Sequence, residues 1–348
     1  MATLQWLDPI VRPWLLRRNH RDSGFCLIRP MTESSSQAPR QAALPRAVFL
    51  DALSLGPVDL APLRHWCRLE TWPSTAPEER LQRLQGAEIA ITNKIGLDAA
   101  LLRQLPQLRL ICVAATGTDQ VDQQACHELG ISVQNAGRYS RASVVQVTWA
   151  LILELSCQMD QRRRDLRQGI WQRSPVFSVI EPEFDELAGQ TLVVLGAGDI
   201  GRGVLAIGEA FGMHCIALTS RSTPDELEAA LRQADVLSLH APLTPHTKDL
   251  INRERLGWMK PTARLVNMAR GALVNLDALT DALRHGRLAG AALDVLPLEP
   301  PGPELEALLQ TPRLLISPHM GWSSRQARMR LVHTLAGHLQ AYGAASPR

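Results

Sequence analysis

The chain has 348 residues, of which 45% are apolar and 20% are charged, and its formal net charge is +3. This length allows two domains that each bury a core, and the composition is ordinary for a globular protein. A small charge without a long run of Lys and Arg gives no support for a nucleic-acid partner. No apolar stretch reaches the ~18 residues of a membrane span, so no membrane partner is expected.

Six cysteines are scattered along the chain without a C-x-x-C pair. In a chain of this length, that pattern favours reduced thiols over a disulfide framework. No group of His, Cys and carboxylate residues has the spacing of metal ligands. We therefore expect a cytoplasmic protein without a metal site.

The first 45 residues differ in composition from the rest of the chain. The segment "WLLRRNHRDSGFCLIRP" is rich in arginine and lacks an uninterrupted apolar region, so it is a poor secretory signal. The segment "TESSSQAPRQAALP" is typical of disorder. We interpret residues 1–45 as a disordered extension, or as the result of an upstream start codon with Met31 as the true start. A targeting peptide is the alternative.

Four short apolar segments open the folded sequence and predict strands, with helical patterns between them. They cover residues 46–51, 87–93, 108–116 and 130–136. Residues 143–171 contain no proline, and their first glycine is Gly169, so they predict one long helix. Strands that alternate with helices are typical of parallel α/β layers.

The second half of the chain repeats this alternation. Residues 190–218 predict a strand, a glycine turn, a helix and a second strand, and four further apolar segments end in polar residues or in Pro and Gly. Ligands of open parallel sheets bind beyond the carboxyl ends of the strands, so the residues that follow these segments are candidate site residues. Residues 324–343 predict an amphipathic helix.

A glycine motif of the form G-x-G-x-x-G joins the strand "TLVVL" to the helix "RGVLAIGEAF". Gly196 allows the tight turn, Gly198 allows the backbone to approach a pyrophosphate, and Gly201 allows the helix to pack on the strand. The amides of Asp199 and Ile200 would face the phosphates of a dinucleotide.

The strand that follows this helix ends in "CIALTSR", without the acidic residue that usually binds ribose in such folds. Thr219 stands at that position. Ser220 and Arg221 can hydrogen-bond and ion-pair with a 2′-phosphate, which an Arg fork binds well. The sequence therefore predicts a preference for NADP(H), with NAD(H) as the other possible cofactor.

Three residues that follow later strands suit hydride-transfer chemistry on a 2-oxo acid. They are Arg270, Glu299 and His319. Such a reaction needs a cation for the carboxylate and carbonyl, and a proton donor for the developing alkoxide. Histidine changes charge near neutral pH, and a neighbouring carboxylate favours its charged form.

From residue 46 to residue 343, the chain resembles the D-isomer-specific 2-hydroxyacid dehydrogenase family. The resemblance rests on "AATGTDQVD", "GAGDIG", "LHAPLT", "NMARGALVN", "LDVLPLEP" and "SPHMGW", which occur in that order. Within the family, "TNK", "GIWQRSPVFS" and "HMGWSS" are most similar to the glycerate dehydrogenase and hydroxypyruvate reductase group.

The resemblance implies a role for each matching residue. Arg270 would bind the substrate carboxylate and keto oxygen, His319 would be the general acid or base, and Glu299 would pair with His319. The backbone of Ala115, Thr116 and Gly117 would bind the substrate carboxylate. Asp294 would bind the nicotinamide carboxamide. Other contacts with the cofactor would come from Pro242, Thr247 and Met268.

The resemblance also implies a fold class, α/β with two doubly wound, parallel-sheet, Rossmann-like domains and a cleft between them. Residues 46–145 and 323–348 would form the substrate domain, and residues 146–322 the NAD(P)-binding domain. A homodimer is the expected assembly.

The expected function is NAD(P)-dependent reduction of hydroxypyruvate or glyoxylate, or the reverse oxidation. One alternative is a catalytically idle protein of the same fold that senses NAD(P). The other is a different D-2-hydroxyacid dehydrogenase, such as 3-phosphoglycerate dehydrogenase.

Overall fold

The structure is a computed structural model that describes residues 44–345. The predicted N-terminal extension, residues 1–45, lies outside this range except for its last two positions. Within the range, the strands are β1 Arg46–Phe49, β2 Arg68–Thr71, β3 Ile89–Thr92, β4 Leu110–Val113, β5 Ser132–Asn135, β6 Thr191–Leu195, β7 His214–Leu218, β8 Val236–Leu239, β9 Arg264–Asn267, β10 Gly290–Leu293 and β11 Leu314–Ile316. The helices are α1 Ala61–Arg64, α2 Arg80–Leu84, α3 Ala99–Leu102, α4 Gln123–Leu129, α5 Arg141–Cys157, α6 Met159–Arg167, α7 Asp199–Ala210, α8 Pro224–Gln233, α9 Arg253–Trp258, α10 Leu276–Arg284, α11 Glu304–Leu309 and α12 Arg325–Ala345.

The strands form two sheets, and every strand pair is parallel. The first sheet has the order β2-β1-β3-β4-β5, and the second has the order β11-β10-β9-β8-β6-β7. In the first sheet, the strand order reverses at β1, which lies between β2 and β3. In the second, it reverses at β6, which lies between β7 and β8. The predicted class of two doubly wound α/β sheets is confirmed.

Helices cover both faces of each sheet, so the central strands are buried along their length. The last helix, α12, packs on the first sheet, where Leu331, Leu335 and Leu339 share one apolar core with Phe49 and Ile91. The first sheet therefore takes part of its core from the far end of the chain. The division of the chain at residues 145 and 322 into two domains stays a prediction.

The sequence reading missed strand β2, which lies at the edge of the first sheet. Its sequence, "RLET", has no apolar run, and three of its four residues are exposed. Arg46 on β1 holds this edge through an ion pair with Glu70, 2.7 Å between nitrogen and oxygen. A strand that fully buries none of its residues leaves little hydrophobic signal in a sequence.

The prediction of one helix over residues 143–171 was wrong. The segment is two helices, α5 and α6, which meet at Gln158 with a bend of 54°. Gln158 has a left-handed backbone (φ 51°), and the Glu154 carboxylate accepts the N–H of Asp160 at 2.9 Å across the break. Helix α5 buries residues as far as Ser156, whereas α6 buries none. After Cys157, packing against the core therefore no longer keeps the chain in line with α5.

Among the described residues, no single helix is long and apolar enough to cross a membrane. The bent pair α5 and α6 passes that test together, by length and composition alone. Much of the apolar surface of α5, including Val144, Trp149 and Ile152, is packed in the core beside the second sheet.

Candidate active site

The glycine motif forms a tight turn between β6 and α7. Gly196 has a positive φ of 96°, and a side-chain carbon there would lie 2.5 Å from the backbone of His240 and Ala241. At Gly198, a side-chain carbon would meet no atom within 4 Å, so the surface stays open beside the start of α7. At Gly201, it would lie 2.9 Å from Val194 on β6. The turn therefore has the close approach and the open face that a pyrophosphate requires.

The loop after β7 lies directly beside this turn. The carbonyl of Leu218 accepts the N–H groups of Gly196 and Ala197 at 2.9 and 3.1 Å. Thr219, Ser220 and Arg221 follow and are exposed. The Thr219 hydroxyl accepts the N–H of Arg221 at 3.2 Å, which orders the loop. In the described part of the chain, the Arg221 guanidinium has no ion pair.

The acid Asp199, at the start of α7, lies beside two arginines. Its carboxylate lies 3.9 Å from Arg138 and 3.8 Å from Arg141. Thr247, another predicted cofactor residue, donates its hydroxyl to the Pro242 carbonyl at 2.8 Å. Thr247 thus supports the loop that follows β8.

His319 and Glu299 form the closest pair of ionisable side chains among the predicted site residues. The His319 Nδ1 atom lies 2.5 Å from a carboxylate oxygen of Glu299. Because an ionised carboxylate only accepts hydrogen bonds, Nδ1 must carry the proton. The Nε2 atom makes no hydrogen bond to any residue from 44 to 345. This nitrogen is therefore the one left for a substrate.

Burial of Glu299 raises the pKa of its carboxyl group, but two hydrogen bonds and the electrostatic attraction of His319 and Lys94 together outweigh that effect. The hydrogen bonds come from His319 and from the N–H of Leu296, the latter at 2.9 Å. The net result is a pKa below the ordinary value of Glu. Glu299 is therefore ionised at neutral pH and can stabilise the charged form of His319.

Asp294, at the end of β10, holds the loop that carries His319. Its carboxylate accepts the Ser317 hydroxyl at 2.6 Å and the N–H groups of Met320 and Gly321 at 2.9 and 2.8 Å. The loop backbone is left-handed at His319, where φ is 51°. Few residues with a side chain adopt that conformation without support. Asp294 thus fixes the direction of His319, the predicted general acid, besides any contact with nicotinamide.

Arg270 follows β9 and reaches across to the first sheet. Its guanidinium lies 3.3 Å from the carboxylate of Asp119 and donates to its own neighbour, the Ala269 carbonyl, at 2.8 Å. The side chain of Asn267 is fully buried and braces this loop by bonding the Arg270 carbonyl and the Ala269 N–H, at 2.9 and 3.1 Å. Gly117 lies so close to Arg270 that an added side-chain carbon would overlap the guanidinium.

The loop of Ala115, Thr116 and Gly117 presents backbone to the same space. The Thr116 hydroxyl donates to the Gly137 carbonyl at 2.7 Å, and the Thr116 carbonyl accepts the side-chain amide of Asn135 at 2.7 Å. Within residues 44–345, the three N–H groups of this loop donate to no protein acceptor. They are free to bind an anion such as a carboxylate.

These elements surround one cavity of about 350 Å³ between the two sheets. Nine of the predicted site residues line it, namely Ala115, Thr116, Gly117, Ile200, Pro242, Met268, Arg270, Asp294 and His319. The other predicted site residues do not line it, namely Gly196, Gly198, Asp199, Gly201, Ser220, Arg221, Thr247 and Glu299. Three further polar residues of this site lie within motifs that carry the family resemblance, namely Lys94, Asp119 and Asn267. The sequence analysis gave them no role, because their side chains are not part of the chemistry expected of those motifs.

His240 also lines the cavity but cannot serve as a proton donor. Burial lowers the pKa of its imidazole to about 4, so the ring is neutral at physiological pH. Its Nε2 atom lies 2.8 Å from the Ser238 hydroxyl, and its Nδ1 atom is buried without a partner among the described residues. Across residues 44–345, no group of three or more His, Cys, Asp and Glu side chains could hold a metal ion.

Comparisons with known proteins identify the family of this chain. Residues 149–321 match the family profile described as D-isomer specific 2-hydroxyacid dehydrogenase, NAD binding domain. Glycerate dehydrogenase from Methylorubrum extorquens is 39% identical over 281 residues, which cover 80% of this chain and 88% of the relative. Hydroxypyruvate reductase from Blautia hydrogenotrophica is 32% identical, with 87% of this chain and 98% of the relative covered.

A solved structure gives the same result. D-lactate dehydrogenase from Aquifex aeolicus, complexed with NAD and lactic acid, superposes with a TM-score of 0.76 at 26% identity. The match covers 85% of this chain and 95% of that one. The chain therefore belongs to the D-isomer specific 2-hydroxyacid dehydrogenase family. It is an oxidoreductase that acts on the CH–OH group of a 2-hydroxy acid, and its second sheet belongs to an NAD-binding domain.

The Glu299 contact predicts how the rate depends on pH. Because the pKa of Glu299 is held below its ordinary value, the carboxylate stays charged at neutral and mildly acidic pH. In Glu299→Gln, the charged form of His319 loses its ionic partner. We expect kcat for reduction to fall about tenfold to a hundredfold, and the pH profile of kcat/KM to move toward lower pH.

The matched control is Glu304→Gln, since the Glu304 carboxylate accepts the Gly302 N–H at 3.0 Å and does not line the cavity. Steady-state rates from pH 5 to pH 9 give both profiles. An unchanged profile for Glu299→Gln would contradict the proposed role of the pair.

Proposed function

We propose that this protein reduces small 2-oxo acids to D-2-hydroxy acids, with hydroxypyruvate and glyoxylate as its main substrates. The observation that carries the proposal is the His319–Glu299 contact at 2.5 Å. It leaves Nε2 of His319 as a proton donor in the cavity that Arg270 also lines. The relatives named glycerate dehydrogenase and hydroxypyruvate reductase support this choice of substrates.

Each residue of the site has a distinct task in this mechanism. The N–H groups of residues 115–117 and the guanidinium of Arg270 bind the substrate carboxylate, and Arg270 also polarises the carbonyl. His319 donates the proton on Nε2 to the carbonyl oxygen as negative charge develops there. In the oxidative direction, Nε2 takes that proton back. Glu299 and Asp294 position His319 without touching the reacting atoms.

The glycine turn and the residues after β8 and β9 fit a nicotinamide dinucleotide. The turn, with the start of α7, would hold the pyrophosphate. Pro242, Met268 and Asp294 would border the nicotinamide. When bound in reduced form, this cofactor supplies a hydride to the substrate.

His319 carries the sharpest test of the function. We expect the wild type to reduce hydroxypyruvate and glyoxylate, and His319→Ala to lose about 10²–10⁴-fold in kcat. The dissociation constant of the reduced cofactor should stay within about threefold of the wild type, because His319 does not border the glycine turn. The rates come from the loss of cofactor absorbance, and the dissociation constants from cofactor fluorescence.

His333→Ala is the matched control, because this histidine bonds a backbone carbonyl within α12 and does not line the cavity. Near wild-type reduction by His319→Ala would contradict the mechanism. A wild type that binds cofactor but reduces no 2-oxo acid would favour the alternative of a sensor. A wild type that prefers 3-phosphohydroxypyruvate would favour the phosphoglycerate alternative.

We also propose that NADPH is preferred over NADH. Thr219 and Ser220 offer hydroxyl groups, and Arg221 a guanidinium without a carboxylate partner, at the end of β7. No carboxylate stands at this position to bind the ribose hydroxyls or to repel a 2′-phosphate. An arginine can bind that phosphate with two hydrogen bonds.

Substitution of Arg221 tests the cofactor preference. In Arg221→Ala, we expect the dissociation constant of NADPH to rise about tenfold or more, because a charge-assisted contact is lost. The constant for NADH should change little. Arg232→Ala is the control, because Arg232 pairs with Glu228 on the neighbouring helix α8 at 2.7 Å. If the wild type binds NADH more tightly than NADPH, the preference is wrong.

We propose a homodimer whose interface includes the segment from Met159 to Phe184. Seven of the sixteen large apolar residues that are exposed in the described chain lie in this segment, namely Met159, Leu166, Trp171, Val176, Phe177, Ile180 and Phe184. Phe177 is 90% exposed. Exposed apolar patches of this kind are typical of protein interfaces. Because the family resemblance implies a homodimer, we propose that a second copy of the chain covers this patch.

The dimer prediction is tested by sedimentation. We expect the wild type to sediment as a dimer, and Phe177→Asp to dissociate at least tenfold more readily, because a buried carboxylate destabilises an apolar interface. Leu53→Asp is the control, since Leu53 is also exposed (70%) but lies outside the patch. A monomeric wild type, or equal dissociation of both variants, would contradict the interface.

A further inference from the structure

Lys94 is a cation of the active-site cavity to which the proposed mechanism gives no task. It follows β3, lines the cavity together with Arg270 and His319, and is exposed. Among residues 44–345, its ammonium makes no hydrogen bond and no ion pair, whereas Arg270 already contacts Asp119. Lys94 is therefore a positive charge in the cavity that is available to a ligand.

The position of Lys94 is fixed by its backbone. The carboxylate of Asp51, which follows β1, accepts the N–H groups of Asn93 and Lys94 at 2.8 and 2.7 Å. The carbonyl of Asn93 accepts the side-chain amide of Gln120 at 2.7 Å. The turn is thus held from both sides, and only the side chain of Lys94 remains free to adjust to a ligand.

This turn also lies where the first sheet is expected to bind ligands. The strand order of this sheet reverses at β1, between β2 and β3. In open α/β sheets, ligands bind beyond the carboxyl ends of the strands at such a reversal. Asp51 and Lys94 follow the two strands β1 and β3, so the sheet topology and the charge point to the same place.

We propose that the Lys94 ammonium binds an oxygen on C3 of the substrate, which makes the site prefer a C3 hydroxyl group, as in hydroxypyruvate, over the C3 methyl group of pyruvate. This inference rests on the proposed function. The substrate carboxylate has partners in Arg270 and the N–H groups of residues 115–117, and the carbonyl has His319. The remaining polar part of hydroxypyruvate is its C3 oxygen. Lys94 is a charged donor that lines the cavity and has no partner among residues 44–345.

Charged groups around Lys94 determine over which pH range it can act. Desolvation in the cleft lowers the pKa of its ammonium, and Arg270 lowers it further, while Glu299, Asp119 and Asp51 oppose that shift. The net pKa lies below the ordinary value of Lys. A preference that depends on the charge should therefore be present at neutral pH and decline as the pH rises through that lowered pKa.

The test compares hydroxypyruvate with pyruvate, which lacks the C3 oxygen. In Lys94→Met, we expect the kcat/KM ratio of hydroxypyruvate to pyruvate to fall about tenfold or more, because a polar contact to the substrate hydroxyl is lost. Lys94→Arg should keep part of the preference for hydroxypyruvate over pyruvate. In this variant, the kcat/KM ratio should not decline at alkaline pH, because a guanidinium stays charged. The control is Lys260→Met, because Lys260 pairs with Asp235 at 2.8 Å and does not line the cavity.

A binding measurement separates this inference from the proposed function. Calorimetry gives the dissociation constants of D-glycerate and D-lactate with reduced cofactor present, a combination that cannot react. The ratio of these constants should change in Lys94→Met and not in Lys260→Met, even if the wild type reduced none of the oxo acids. The inference is wrong if Lys94→Met leaves both ratios unchanged, that of the two kcat/KM values and that of the two dissociation constants. In that case, Lys94 does not bind the C3 oxygen.

Discussion

The proposed chemistry of this protein depends on how two carboxylates hold one histidine. Glu299 fixes the ring of His319 through Nδ1 at 2.5 Å, and Asp294 fixes the backbone that carries it through three hydrogen bonds. Both acids follow strand β10, five residues apart in the sequence. The residues that follow one strand therefore set the tautomer and the orientation of His319, the proposed proton donor. Its side chain then has little conformational freedom left to lose when substrate binds.

The remaining parts of the site come from opposite walls of the cleft. The contact of Arg270 with Asp119 joins the second sheet to the first, and the main-chain N–H groups of residues 115–117 lie on the Asp119 side. Substrate can reach all of its proposed partners only when both walls are close together. Specificity and rate are thus linked to the distance between two sheets of similar topology.

Patterns with a strong local cause could be predicted from the sequence. Buried strands such as β3 and β8, and the glycine turn at residues 196–201, appear where apolar runs and glycines place them. Strand β2 was missed because it is exposed, and the break at Gln158 was missed because no proline or glycine marks it. The proposed role of Lys94 could not be predicted from the sequence. It depends on the folded chain, which brings Lys94 to the cavity and gives its ammonium no partner among the described residues.

The packing of α12 on the first sheet has a consequence for synthesis. Strands β1 to β5 leave the ribosome before the residues that complete their core. Leu331 and Leu335 are two of these residues, and they come almost two hundred residues after β5 in the sequence. Until then, one apolar face of the early sheet lacks its cover, and such surface is prone to aggregation. The first sheet is thus synthesised before the second, but its core is completed only after the second sheet has been synthesised. The central Rossmann-like unit can complete its own core in the meantime.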